Sequence, residues 1–87
     1  MTKMVFIQEI EDVTKWLDMA DARKKVLGRF AKDIVFHLDA DAGNQVALTM
    51  DVHDLEGLRS YSRSAEGQAQ LQKGGNLRQV AYFTHLT

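Results

Sequence analysis

Hydrophobic residues recur first at every second position, then about every 3.6 positions, and this change of period repeats along the chain. A period of two is typical of a strand, whose successive side chains point to opposite faces, and a period near 3.6 is typical of an amphipathic helix. The pattern predicts the order strand, helix, strand, strand, helix, strand. Residues 1–87 contain no proline, internal repeat or low-complexity stretch that would mark a linker, so we expect one domain.

The first strand is predicted over Met4 to Ile10, with apolar residues on both faces. Asp12 is expected to cap the start of a first helix. Gly28, in the left-handed conformation, is expected to end this helix. The buried stripe of this helix is expected to comprise Val13, Trp16, Leu17, Ala20 and Leu27.

The middle of the chain predicts a hairpin of two alternating strands. A three-residue turn over 41–43, with Gly43 in the left-handed region, would pair Leu38 with Val46, Phe36 with Leu48 and Ile34 with Met50. These six apolar residues then lie on one face. On the opposite face His37 is expected across from Ala47, and Val35 across from Thr49.

The second helix is predicted to begin at the cap residue Asp54, to kink or restart near Ser64, and to end at residues 73–75. Its stripe is Leu55, Leu58, Tyr61 and Ala65. The last strand is predicted over Leu77 to Leu86. Leu77, Ala81 and Phe83 are expected on one side of it, and Val80, Tyr82 and Leu86 on the other.

This element order predicts an α+β, ferredoxin-like βαββαβ fold. Its four-stranded antiparallel sheet would have strand order 4-1-3-2, with two helices on one face. The other face would stay uncovered although it carries apolar residues from the outer strands, and large exposed apolar patches are rare on monomers. We therefore expect a homodimer in which two sheets pack face to face.

Composition narrows the range of partners. Eleven Lys and Arg against twelve Asp and Glu leave a net charge of −1, without the basic excess that nucleic acid requires. The order of strands and helices also fits an RNA-binding domain with an open sheet. This sequence, however, lacks the stripe of basic and aromatic residues that such domains carry on their central strands.

Cysteine is absent, so disulfides and thiolate metal sites are excluded. The apolar run after Met1 is too short for a membrane span or a signal sequence, and we expect a soluble, cytoplasmic protein.

Beyond the element order, three local features resemble one group of proteins. They are Trp16 early in the first helix, the Asp-rich hairpin Asp39 to Asn44, and the run from Val52 to Leu58 that leads into Ser64 to Glu66. The chain is similar to the dimeric α/β barrel superfamily, which includes antibiotic-biosynthesis monooxygenase-type, stress-responsive and cyclase-like proteins. The resemblance implies a homodimeric barrel with a cavity between or within the sheets. It transfers no catalytic residue.

Three polar residues are candidates for lining such a cavity. His37 would point away from the helices, where its imidazole could act as an acid, a base or a ligand anchor, and Thr49 lies on the neighbouring strand. Tyr82 lies on the last strand, where its hydroxyl could hold a ligand oxygen. The competing interpretation of His37 is a hydrogen-bonded interface residue. Which residues are catalytic, if any, stays unknown.

Other clusters favour structural roles. Arg23, Lys24 and Lys25 complement the dipole at the first helix end, and we favour that role over anion binding. Trp16 and Tyr61 fall on buried stripes and are interpreted as packing residues.

The motifs that could bind a metal or a phosphate are weak. The set Asp51, His53 and His85 has no usual metal-ligand spacing. Residues 39–44 fit a hairpin better than a calcium loop, and residues 73–76 lack the features of a phosphate loop. We expect no metal and no cofactor.

The sequence therefore predicts a homodimeric barrel that binds a small, largely apolar or aromatic molecule. Cofactor-independent monooxygenase, isomerase or cyclase activity is one hypothesis for its role. The alternative is a non-catalytic structural or regulatory dimer whose inter-sheet space is filled by its own side chains.

Overall fold

A computed structural model describes residues 2–84 of the protein, apart from the side chain of Tyr82. The elements in chain order are β1 (Thr2–Ile10), α1 (Val13–Asp18), α2 (Ala20–Leu27), β2 (Ala31–Leu38), β3 (Gln45–Val52), α3 (Leu55–Arg63), α4 (Ala65–Lys73) and β4 (Asn76–Thr84). The four strands form one antiparallel sheet in the order β2-β3-β1-β4. The predicted α+β class and strand order are confirmed. In the described part of the chain, no helix has the length and apolar character needed to cross a membrane.

The hydrophobic core lies between the sheet and the helices. Alternate residues of β1 and β3 point into it, and Trp16 of α1 and Leu58 of α3 cover them. Its buried members are Met4, Ile10, Trp16, Ala31, Val46, Leu48, Met50, Val52 and Leu58. We call this side of the sheet the core face. The predicted alternation of β3 is confirmed, because a shift of one residue would have exchanged its two faces.

The opposite side of the sheet, which we call the open face, carries two aligned rows of side chains. One row runs Val35, Thr49, Val5, Phe83 across the four strands, and the next runs His37, Ala47, Ile7, Ala81. Val35 is 48% exposed and Phe83 is 55% exposed. Ion pairs lie on either side of these rows, with Lys3 Nζ 3.3 Å from Asp51 and Arg78 Nε 3.5 Å from Glu9. The open face is therefore an apolar band between two charged borders.

The first helical segment differs from its prediction in three respects. It divides at Met19 into α1 and α2, although the Asp12 cap is confirmed by a 3.2 Å hydrogen bond from the Lys15 N–H. Leu17 is 39% exposed rather than buried, because the division turns it out of the stripe that Trp16 begins. Gly28 has φ −60°, so its predicted left-handed conformation is wrong.

The second helical segment follows its prediction closely. Asp54 accepts a 2.9 Å hydrogen bond from the Gly57 N–H and caps α3. The expected restart occurs at Ser64, whose hydroxyl oxygen accepts a 3.0 Å hydrogen bond from the Gly67 N–H and caps α4. Because the restart changes the direction of the helix, Ala65 is exposed and not part of the stripe.

Ser64→Ala is expected to lower the free energy of unfolding by about 1 kcal/mol, since it removes the cap of α4. Urea unfolding followed by circular dichroism measures the change. Ser60→Ala is the matched control, because Ser60 is exposed within α3, where alanine favours the helix. Equal effects of the two substitutions would show that the cap contributes nothing.

The hairpin has the predicted register at its closed end but a different turn. Leu38 pairs with Val46 and Phe36 with Leu48, as expected. The left-handed residue is Ala42 (φ 57°), not Gly43. The Asp39 carboxylate accepts a 2.8 Å hydrogen bond from the Asp41 N–H, and the Asp39 backbone carbonyl accepts a 3.0 Å hydrogen bond from the Ala42 N–H. These two bonds close the turn one residue earlier than predicted.

The predicted pairing of Ile34 with Met50 is wrong. The register shifts between Lys32, which pairs with Asp51, and Val35, which pairs with Thr49. Two residues of β2 therefore oppose one of β3, and Asp33 takes a left-handed conformation with φ 53°. The bulge leaves Ile34 in partial contact with the core.

Strand β4 has two similar irregularities. Its register against β1 shifts between Ile7 and Gln8 and again between Glu9 and Ile10. Ala81 and Phe83 lie on the open face as one set, but Leu77 lines the helix side, so the prediction that all three share a side is wrong. The bulges change the phase, which a strict period of two cannot anticipate. His85 and Leu86 lie outside the described residues.

Candidate functional site

A cavity of about 690 Å³ lies between the helix layer and the core face of the sheet. We call it the cleft. Its walls are mainly apolar and come from β1, β3, β4 and all four helices; they include Met4, Phe6, Trp16, Met19, Val26, Leu27, Leu48, Met50, Leu55, Leu58 and Leu71. This volume is within the range of protein sites for small organic molecules, and such sites are lined by apolar side chains with a few polar groups. The cleft is therefore the candidate binding site.

Arg23 supplies the most interior charge of the cleft. Its Nη1 donates a 2.9 Å hydrogen bond to the Trp16 carbonyl, which the division at Met19 leaves accessible. Its guanidinium carbon lies 4.1 Å from the centroid of the Trp16 ring and 5.8 Å from that of Phe36. Desolvation by the surrounding protein lowers the pKa of Arg23 to about 10. The residue stays protonated at neutral pH but lacks much of its hydration.

Tyr61 contributes a second polar group. Its ring packs against Phe30, with centroids 5.6 Å apart, and lies under the Arg29 guanidinium at 4.8 Å. Its hydroxyl is buried, and no described residue forms a hydrogen bond with it. A buried hydroxyl without a partner costs free energy.

Tyr61→Phe is expected to leave the free energy of unfolding unchanged or to raise it by about 1 kcal/mol, because it removes a buried, unpaired hydroxyl. Urea unfolding of the ligand-free protein tests this. The usual loss on deleting a hydrogen-bonded tyrosine hydroxyl has the opposite sign. A loss of about 1 kcal/mol or more would show that the hydroxyl has a partner.

The sequence-predicted site residues lie on the other side of the sheet. His37 Nε2 is 3.1 Å from Thr49 Oγ1 on the open face, so these two residues form a hydrogen bond. A depression of about 270 Å³ lies beside His37 and is also lined by Ile7 and Ala47. The backbone of Tyr82 pairs with Phe6, and its side chain is outside the described part of the structure. Neither His37 nor Thr49 lines the cleft.

Asp51 and His53, two members of the set that has no usual metal-ligand spacing, have different surroundings in the structure. Asp51 is engaged with Lys3 on the open face, and His53 is exposed after β3. Among residues 2–84, no three His, Asp or Glu side chains are placed to hold a metal ion, and His85 lies outside that range.

Sequence reasoning identified Trp16, Tyr61 and Arg23 but assigned them structural roles. Trp16 is 1% exposed and does belong to the core, yet its ring also forms part of the cleft wall. Arg23 lies one helical turn beyond Met19 and reaches back to α1. A period of 3.6 places Arg23 near the stripe of Trp16 and Leu27, and this was the signal that could have found it.

Comparison with known proteins supports the fold. No family model and no curated protein sequence matches the chain. Among solved structures, a Bordetella bronchiseptica protein named for the antibiotic biosynthesis monooxygenases is 9% identical, with TM-score 0.72 over 99% of this chain and 95% of that one. A Deinococcus radiodurans protein named for the same group is 5% identical, with TM-score 0.61 over 100% and 92%. A conserved protein from Methanosarcina mazei Go1 is 11% identical, with TM-score 0.64 over 97% and 89%.

The chain thus has the fold of antibiotic-biosynthesis-monooxygenase-like proteins, and the resemblance drawn from its sequence is confirmed at the level of the fold. Identities of 5% to 11% are too low to transfer any residue's role.

Proposed function

We propose that the protein binds a small, largely apolar molecule in the cleft between its helices and its sheet. The observation that carries this proposal is the cavity of about 690 Å³, which is lined mainly by apolar side chains and also by Arg23 and Tyr61. Apolar walls bind the body of a ligand by removing it from water, and the two polar groups orient it.

The names of the fold neighbours suggest an oxygenase, and isomerase or cyclase chemistry would use the same kind of site. In each case the cleft would position the substrate and exclude water, and Arg23 would stabilise negative charge developing on a substrate oxygen. No cofactor is part of this proposal.

The binding proposal is tested with 2-naphthol, a neutral two-ring probe, by isothermal titration calorimetry. Binding should quench Trp16, the single tryptophan of the chain, because its ring lines the cleft. Ala22→Phe should weaken binding about tenfold or more, since Ala22 lines the cleft and a phenyl ring would occupy it.

Ala69→Phe is the matched control, because Ala69 is an exposed residue of α4 outside the cleft walls. Absence of binding by the unsubstituted protein would refute the proposed function. The same holds if both variants weaken binding equally. Oxygen consumption with naphthol substrates then separates an oxygenase from a non-catalytic binding protein.

We also propose that two copies associate through their open faces as a homodimer. The exposed Val35 and Phe83 and the apolar rows between charged borders support this proposal. His37, Thr49 and Tyr82 are then proposed as polar lining of the space between the two sheets. In the alternative, side chains fill that space and the dimer has a structural or regulatory role.

A further inference from the structure

The charged residues that line the cleft all have one sign. Four arginines are among its lining residues, namely Arg23, Arg59, Arg63 and Arg78, and the charged end of Arg78 lies on the open face with Glu9. Among the described residues, no aspartate, glutamate or lysine lines it. This separation is notable because the whole chain has one more acidic than basic residue. A cleft surrounded only by cations concentrates positive potential between low-dielectric walls and attracts anions.

The four arginines are not equivalent. Arg78 is paired with Glu9 at 3.5 Å, so its charge is largely balanced. Arg59 and Arg63 are exposed on α3 at the rim. Arg23 is half-buried, and the described residues place no carboxylate within 4.0 Å of it. It is thus the one interior cation whose charge the described protein leaves uncompensated.

The surroundings of Arg23 favour an oxygen anion as the missing partner. Its one hydrogen bond within the described protein uses Nη1 and a neutral carbonyl, so the other N–H donors of the fork have no hydrogen-bond partner among the described residues. The stacking against Trp16 holds the guanidinium plane in place. A pre-oriented guanidinium in a partly dry site binds carboxylates through two parallel hydrogen bonds, which are stronger than those of neutral pairs.

We propose that the cleft selects organic acids, and that the ligand is an aromatic or similarly apolar molecule whose carboxylate binds Arg23. Trp16 and Phe6 contact the apolar body, and Arg59 and Arg63 attract the anion to the rim. This inference rests on the proposed function, since it names the ligand class of the same cleft.

Three two-ring probes of matched shape test the selection. They are 2-naphthoate, neutral 2-naphthamide and cationic 2-naphthylmethylammonium. Calorimetry at pH 7 is expected to show naphthoate binding about tenfold or more tighter than naphthamide, and naphthylmethylammonium binding weakest. Added salt should weaken naphthoate binding but not naphthamide binding, because screening acts only on the charged pair.

Substitutions then locate the selecting charge. Arg23→Gln should remove the preference for naphthoate and leave naphthamide affinity within about twofold, since the apolar walls remain. Lys25→Gln is the matched control, because it removes one positive charge from the same helix outside the cleft walls. The double variant Arg59→Gln/Arg63→Gln should slow naphthoate association and reduce its salt dependence.

The probe comparison on the unsubstituted protein decides the inference even if Arg23→Gln fails to fold. If naphthoate and naphthamide bind equally well, the cleft does not select for the charge, and this result would refute the inference. The proposed binding of apolar molecules in the cleft would be unaffected. A preference that survives in folded Arg23→Gln would refute the role of Arg23. If none of the three probes binds, the proposed function itself is wrong.

Discussion

Gly67→Ala is expected to lower the free energy of unfolding by about 3 kcal/mol, although alanine is the better helix former by about 1 kcal/mol. The β-carbon of an alanine at residue 67 would overlap the carbonyl oxygen of Tyr61 and lie 3.2 Å from the Cα of Ser62. That carbonyl cannot move freely, because it accepts hydrogen bonds from the Ser64 N–H at 3.0 Å and the Ser64 hydroxyl at 2.6 Å.

Thermal unfolding followed by circular dichroism measures this effect. A loss of about 3 kcal/mol corresponds to a fall in Tm of roughly 12 to 24 °C for a domain of this size. Ala69→Gly in the same helix is the comparison, since Ala69 is exposed and glycine there should cost only about 1 kcal/mol. If Gly67→Ala proved more stable than the unsubstituted protein, the close approach of α4 to the end of α3 would be contradicted.

Ile7→Asp is expected to convert the proposed dimer into a monomer. Ile7 is at the centre of the open face, between Ala47 and Ala81 in its row. In a face-to-face dimer, the two-fold symmetry would bury two unpaired carboxylates, at a cost of about 4 kcal/mol or more. The dissociation constant should then rise by about a thousandfold or more.

Analytical ultracentrifugation over a concentration series measures the association. Leu17→Asp is the matched control, because Leu17 is an exposed leucine on the helix side, and its replacement should leave association unchanged. Phe83→Ala should weaken the dimer less than Ile7→Asp, since it removes apolar area without adding a charge. A folded monomer of the unsubstituted protein at micromolar concentration would refute the dimer.

His37→Ala distinguishes the two proposed roles of the open face. If a ligand occupies the space between the sheets, loss of the His37–Thr49 hydrogen bond should change ligand affinity without dissolving the dimer. If side chains fill that space, the substitution should alter only dimer stability.

The residue pattern alone was enough to predict the element order, the strand order and the two faces of the sheet. Side chains alternate in a strand with an exact period of two, and the larger apolar residues of β3 share one face, so β3 could face the core in only one register. The caps Asp12, Asp54 and Ser64 were equally readable, because capping depends on a hydroxyl or carboxylate within three residues of its partner.

The bulges in β2 and β4, the division at Met19 and the position of the cleft were not readable in this way. Each depends on how distant segments fit together once the helices lie on the sheet. Arg23 is the clearest case. Its place near a helix end suggested a surface cation, and the packing of Trp16 and Phe36 around it makes it the interior charge of the cleft. Local pattern decided which face each residue takes, and three-dimensional packing decided what surrounds it there.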